Sequence, residues 1–191
     1  MTFNHLVLIG GGHSNVSLLK KWLMFPKLMP EIPVSIISRD SHLVYSAIFP
    51  SVISKSMTLE ESLIDIKSLA KDAKVSFLEA EVKDIDFNLK KIILSNRPSV
   101  NYSKLVLNYG SQTIIPKEFE SLVKNRNAFS IKPFLRAYDS ILKEDIFDSV
   151  NELPFVIVGS GLAAIEVSYA CLLYTSPSPR DISGSRMPSS A

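Results

Sequence analysis

Two spacings of apolar residues organise this chain, one of period two or continuous and one of helical period. Residues 5–9 (HLVLI) form a short apolar run that ends in three glycines, the pattern of a strand buried on both faces of a parallel sheet. Val16, Leu19, Trp22 and Leu23 then recur at helical spacing, which predicts a helix over 14–24 that stops before Pro26. Pro33 opens a second apolar run over 34–37. Strand, glycine turn, helix and strand in that order make a βαβ unit, nearly always right-handed. From Ser41 to Glu61 little regular pattern is visible. Ile64, Ile66, Leu69 and Ala70 predict a short helix leading to a third strand over 75–78.

Two alternating segments, 81–87 and 90–95, are joined by Asn88 and Leu89 and predict an antiparallel hairpin. A buried strand over 105–107 runs into Asn108-Tyr109-Gly110-Ser111. Phe134, Tyr138, Ile141 and Leu142 mark one face of a helix over 133–148. The apolar run 154–158 then meets Gly159-Ser160-Gly161, and Ala163, Ala164, Ile165, Val167 and Ala170 start another helix. Strand, glycine turn and helix thus begin a second time. Beyond Ala170 the pattern breaks: residues 171–191 hold three prolines, six serines and a glycine, and Pro177 and Pro179 stop the helix. LLYTSPSPRD followed by SRMPSSA resembles translated sequencing-library adapter. The expectation is a genuine protein that stops near Ala170 and a non-native tail over 171–191, so that Cys171 carries no functional argument.

Composition narrows the classes. The 191 residues are 46% hydrophobic and 21% charged, which excludes collagen-like, disordered and disulfide-scaffold chains. A net charge of +2 gives no reason to expect nucleic acid as a partner. No apolar run approaches the roughly 20 residues that cross a bilayer, and the stretch 6–9 follows no basic region as a signal peptide would. One cysteine excludes both a disulfide framework and a CxxC redox pair. Three scattered histidines show no metal-ligand spacing, so no metal is expected. These features suggest a cytoplasmic globular protein.

The glycine turns carry the chemistry. A dinucleotide diphosphate needs one glycine for the tight turn and a second for close backbone approach, with the helix N-terminus offering N–H groups and a positive dipole end. Gly10 and Gly12 fill those places, while the third place, which favours a small residue, holds Asn15. Gly159 and Gly161 fill them again, with Ala164 in the third place and Glu166 two residues on. The alternative for either turn is a glycine bend with no ligand. Neither contains the Gly-Lys-Ser/Thr of a phosphate-binding P-loop.

Two such turns with an antiparallel hairpin between them resemble the two-dinucleotide-binding flavoproteins, the pyridine nucleotide-disulfide oxidoreductase superfamily. The nearest branch is NADH dehydrogenase-like, especially the flavoprotein domain fused ahead of selenide, water dikinase (selenophosphate synthetase). The resemblance rests on LVLIGGGHSNVSLLK, VSIISRDSHLVYSAIFP, AEVKDID, LVLNYGS and VIVGSGLAAIE, which follow the family's order over most of residues 5–168. It implies an α/β fold: a Rossmann-like FAD-binding three-layer βαβ domain with an antiparallel hairpin insert, followed by the truncated start of a second, NAD(P)-binding Rossmann unit. The implied domains are 1–115 for FAD, lacking its C-terminal strand, 116–152 as a helical connection and 153–170 as the start of the NAD(P) domain.

Position by position, the resemblance sets Gly10, Gly12 and His13 against the FAD diphosphate. Ser38 and Arg39 fall near the adenosine ribose, where many relatives carry an acid; Arg39 would stack on adenine or meet a phosphate. The backbone of Val82 matches a contact to adenine, and Gly110 matches the glycine of an ATG-like motif, here with Asn108 and Tyr109 in place of small residues. Tyr45, Ser46 and Pro50 fall in the loop that approaches the flavin ring. Gly159, Gly161 and Glu166 belong to the NAD(P) site, although Glu166 equally suits a helix cap. Plainer expectations hold elsewhere: His5 as a strand-edge residue, His42 in a loop, Trp22 as packing and Ser14 as an N-cap.

The implied reaction is hydride transfer from NAD(P)H to FAD and onward delivery to a small-molecule acceptor such as a quinone, with no catalytic acid or base assigned. The implied location is cytoplasmic with peripheral membrane contact, and the implied partner is a fused selenide, water dikinase domain. Two alternatives stand beside it: a nucleotide-binding accessory module of such a fusion, and an inactive fragment that binds FAD weakly and turns over little.

Overall fold

The computed structural model describes residues 4–125, 127–141 and 156–175. In chain order its elements are β1 (Leu6–Ile9), α1 (His13–Met24), β2 (Val34–Ser38), β3 (His42–Val44), α2 (Phe49–Ile53), β4 (Leu63–Asp65), α3 (Ile66–Asp72), β5 (Ser76–Glu79), β6 (Val82–Asp86), β7 (Lys91–Leu94), β8 (Val100–Asn101), β9 (Lys104–Leu107), α4 (Glu120–Lys124), α5 (Phe134–Ile141) and α6 (Leu162–Thr175). They fall into two compact units, Met1–Tyr45 with Leu63–Ser111, and Ser46–Ser62 with Gln112–Ala191.

The first unit is built on a four-stranded parallel sheet in the order β5-β2-β1-β9. β1 lies at its centre, with Leu8 opposite Ile36 on one side and Val106 on the other. One face of the sheet meets α1 and α3: Leu8, Val34 and Ile36 pack with Val16, Leu19, Trp22, Ile66 and Ala70. The opposite face meets the antiparallel sheet β6-β7-β8, where Val7, Ile9 and Ile37 pack with Ile92, Leu94 and Tyr102. This three-layer arrangement explains the unbroken apolar run of β1, since successive side chains enter two different cores. Each fully buried Leu, Ile or Val there contributes on the order of 1.5–3 kcal/mol.

His5, buried just ahead of β1, ties that end of the sheet together. Its Nδ1 lies 3.1 Å from the Asn101 carbonyl oxygen and its Nε2 2.9 Å from Ser35 Oγ. Its backbone N–H donates to Ser103 Oγ at 2.8 Å, and its carbonyl accepts from the Ser103 amide at 2.8 Å.

In the second unit α2 packs against α6. The rings of Phe49 and Phe134 lie 4.8 Å apart, and Val52, Ile53, Ala137, Val167, Ala170 and Cys171 are buried.

The segment 41–61 is more ordered than its pattern suggests. β3 pairs antiparallel with β4, His42 opposite Asp65. Three residues are too few for a period to show, and the partner lies some twenty residues downstream. β8 escapes the pattern for the same reason and extends the expected hairpin to three strands. The strand expected over 154–158 needs correction. Pro154 and Phe155 lie outside the described residues, while Val156, Ile157 and Val158 form no strand and Val156 and Val158 are exposed. A strand exists by sharing a ladder, and among the described residues the second unit offers no other strand. Half of the helix expected over 133–148 is described and forms α5; positions 142–148 lie outside the described residues, as does 176–191 of the expected non-native tail.

Candidate functional site

The C-terminal ends of β1, β2 and β9 converge where the sheet order reverses. From β1 the chain crosses to β2 on one side, and β9 returns on the other, which leaves a crevice at the β1–β9 boundary. The turn Gly10-Gly11-Gly12 fills the base of that crevice. Its backbone is bonded to both neighbours: the Gly10 N–H donates to the Ile37 carbonyl at 2.7 Å and the Gly12 N–H to the Asn108 carbonyl at 3.0 Å.

Protein atoms crowd all three glycines, and at Gly10 and Gly12 those atoms include backbone. Gly10 has φ +89°, and a Cβ built on it would strike the Asn108 carbonyl oxygen and Tyr109 Cα. A Cβ on Gly12 would strike the carbonyl and side-chain oxygens of Asn108, and one on Gly11 would strike Ile66 Cδ1. The sequence reading gave Gly12 to the approach of a ligand; here its own neighbour already needs the space. Gly11, unassigned in that reading, meets only side-chain atoms and is less constrained than the other two.

The head of α1 is closed by Asn108 instead of by Ser14. The N-cap position is Gly12, which has no side chain to offer. Ser14 therefore lies one residue inside the helix and corrects the expectation of a self-made cap. Asn108 Oδ1 accepts from the Ser14 N–H at 3.1 Å and the Asn15 N–H at 3.4 Å. A residue 94 positions away thus satisfies two donors that the first turn leaves open.

Asn15 explains how a polar residue stands where the motif favours a small one. It is 1% exposed, and its Nδ2 donates to the carbonyls of Gly10 at 2.8 Å and Ile9 at 3.2 Å. The side chain clamps the turn it follows. Among the described residues its Oδ1 has no hydrogen-bond partner, a burial cost of about 1–3 kcal/mol that the two donated bonds offset.

Above the turn lies a groove of about 560 Å³. Among the residues singled out from sequence, Gly10, Gly12, Ser38, Arg39, Val82 and Gly110 line it together, joined by Gly11, His42, Phe87 and Tyr109. Ser38 ends β2 and is buried, while Arg39 is exposed and holds Asp40 at 3.2 Å in a surface pair worth little by itself. Gly110, at φ +83°, has no atom within 4 Å of a built Cβ, so it faces open groove. His13 and Tyr45 are not in the lining; their rings stack on each other 5.1 Å apart. Nearby, Asp65 caps α3: Ser68 donates its N–H and hydroxyl to the carboxylate at 2.9 and 2.6 Å, and these bonds hold its pKa below the usual 3.8.

The other candidates lie in the second unit. Ser46 opens a single 3₁₀ turn, and Pro50 lies in the first turn of α2. Gly159 has φ +149° and Gly161 faces open space, with Glu166 exposed on α6. Burial raises the Cys171 thiol pKa. Among the described residues no group of three or more metal-binding side chains occurs, and no helix is long and apolar enough to cross a membrane.

In the first unit the crevice, the glycine turn and the groove meet at the head of α1, with side-chain atoms of Ile66 and Asn108 standing against the glycines. Asn108 and Asn15 were the features missed from sequence. By the motif Asn108 is only a departure from a small residue, and its side-chain amide is the clue the sequence carries.

Comparison with known proteins agrees with this geometry. The structure is similar to the sulfide:quinone oxidoreductase of Aquifex aeolicus (19% identity, TM-score 0.64, 79% of this chain and 33% of that one). It is also similar to the NADH:rubredoxin oxidoreductase of Clostridium acetobutylicum (20% identity, TM-score 0.60, 91% and 43%). Putidaredoxin reductase, in its covalent complex with putidaredoxin, is a third (16% identity, TM-score 0.66, 88% and 40%). The chain spans less than half the length of each. No curated protein matches it. The model of one family matches residues 4–176. FAD and NAD(P)H are the cofactors of that family. The chain belongs to the pyridine nucleotide-disulphide oxidoreductase family.

Proposed function

We propose that the groove of the first unit holds the adenosine diphosphate half of FAD, and that the whole protein passes hydride from NAD(P)H to this flavin and on to an acceptor such as a quinone. The observation that carries the reading is the groove itself, opening over a backbone-only turn at the head of α1. Bound FAD supplies the electron-accepting ring and NAD(P)H the hydride.

The chain's own residues bind and orient. The turn Gly10-Gly11-Gly12 lets a diphosphate approach the backbone, and α1 directs its positive end toward it. A diphosphate oxygen at this place shares the Ser14 and Asn15 amides with Asn108 or displaces its side chain. Ser38 offers a hydroxyl to a ribose, and Arg39 has only an exposed pair with Asp40 to give up for a phosphate or an adenine face. Val82 and Gly110 supply backbone on the adenine and ribityl sides. His13 serves the diphosphate, Tyr45, Ser46 and Pro50 serve the flavin end, and Gly159, Gly161 and Glu166 serve the nicotinamide nucleotide. GGGHS with ISRDSH and YS supports the branch fused to selenide, water dikinase. The residue 1–115 and 153–170 domains, the non-native tail and a cytoplasmic protein that meets a membrane only at its surface belong to the same proposal.

Titration of the purified chain with FAD, read by flavin fluorescence, tests it. Saturable binding that ADP competes away and riboflavin does not is expected, since riboflavin lacks the part the groove takes. A chain that is folded by circular dichroism and binds neither FAD nor ADP would overturn it.

A further inference from the structure

The C-terminal end of α1, and the turn after it, present a surface that the groove does not use. Leu23, Met24, Phe25 and Leu28 are 42%, 61%, 53% and 55% exposed, four large apolar side chains within six residues. Lys20, Lys21 and Lys27 are exposed among them, and Glu31 is the one acid between positions 20 and 31.

Much of the backbone of this corner is bonded within itself. The Phe25 N–H donates to Lys21 O at 2.9 Å, Leu28 N–H to Phe25 O at 2.9 Å and Met29 N–H to Pro26 O at 3.1 Å, while Pro26 and Pro30 have no N–H. Buried Leu19 and Trp22 and partly buried Met29 hold it against the helix-side core, so the corner is anchored.

We propose that this corner docks on the surface of an anionic lipid bilayer. Met24, Phe25 and Leu28 enter the boundary between headgroups and acyl chains, and the three lysines meet lipid phosphates and carboxylates. Three features favour lipid. Most of the corner's amides are bonded or absent, which matters in a medium that offers no hydrogen bonds. Lysines beside exposed apolar side chains are the composition of interfacial anchors, with stems that lie along the boundary and charges that reach the anionic surface. A second copy of the chain docked by a two-fold contact would set these lysines against their own counterparts. The proposal gives residues to the surface association put forward above and stands without the flavin reading, because none of these side chains lines the groove.

Co-sedimentation of the full chain with vesicles tests it, using phosphatidylcholine alone and phosphatidylcholine with about one-third phosphatidylserine. Binding to the anionic vesicles is expected to exceed binding to the neutral ones by about tenfold or more and to weaken with added salt. The triple variant Met24→Ser, Phe25→Ser, Leu28→Ser should lose that binding with its melting temperature unchanged, since all three side chains are exposed. Lys20→Gln with Lys27→Gln should abolish the preference for phosphatidylserine. The sequence has one tryptophan, Trp22, so brominated lipids should quench its emission in the bound wild type. Wild-type chain that stays in the supernatant with both vesicles, or a triple variant that binds as well as wild type, overturns the proposal. So does a concentration-dependent dimer in size-exclusion chromatography that the triple variant dissolves, which assigns the corner to self-association.

Discussion

Gly10 to Gly12 and Gly159 to Gly161 each set two glycines one residue apart ahead of a helix, yet their surroundings differ. Around the first turn stand the ends of β2 and β9 and the side chain of Ile66; a Cβ on Gly10 or Gly12 would strike backbone, and one on Gly11 would strike Ile66. Around the second, a Cβ on Gly161 meets nothing, and Leu162 and Ile165 of the following helix are exposed. The spacing of glycines is the same; among the described residues the neighbours that give it meaning stand only around the first. A glycine motif therefore reports close packing between strand ends before it reports a ligand.

The strongest way to break the first turn is Asn15→Asp. This nearly isosteric change replaces a double donor with an acceptor, 1% exposed and facing the carbonyls of Ile9 and Gly10. A loss of about 3 kcal/mol or more is expected in thermal or denaturant unfolding. The comparison itself is tested by Gly12→Ala against Gly161→Ala. The first should cost about 1–3 kcal/mol, because the backbone oxygen of Asn108 cannot step aside, and adding Asn108→Ala should not rescue it. The second should stay within about 0.5 kcal/mol. Equal losses would show that the two turns are packed alike.

Asn108→Ala sharpens the picture at the helix head. Losing the cap should lower stability by about 1 kcal/mol, and the gap to wild type should narrow at saturating FAD if a diphosphate supplies acceptors to the same amides. Asp65→Ala removes the carboxylate that caps α3. A carboxylate whose folded pKa is depressed stabilises above its unfolded value and loses that contribution as pH falls through the folded one. The variant should thus melt slightly below wild type near neutral pH, and the difference should fade as pH drops below 3.8.

Much of the first unit was legible from sequence because its signals are local. Continuous apolar runs flanked by glycine gave β1 and β2, and helical spacing of Val16, Leu19 and Trp22 gave α1. Gly10, Gly12, Ser38, Arg39, Val82 and Gly110 were singled out and the fold brings them to one groove. What escaped was non-local. Asn108 closes α1 from 94 residues away, and β3 and β4 are each only three residues long. Asn15 was read as a departure from the motif because a composition rule sees its size and not the two carbonyls it reaches. The run 154–158 shows the opposite failure. Its residues suit a strand, yet Val156 to Val158 form none, since strand propensity takes effect only beside a partner.

The burial of β1 on both faces has a consequence for how the sheet finds its alignment. Where one side of a strand is polar, a one-residue slip exposes the error at once. β1 has no such polarity to enforce its pairing, because Val7, Leu8 and Ile9 are all apolar and all enclosed. Alignment is instead set at the two extremities. At one end His5 engages Ser35, Asn101 and Ser103, and at the other the amides of Gly10 and Asn108 reach the carbonyls of Ile37 and Ile9. The greasy middle supplies cohesion, and these polar fastenings index the strand.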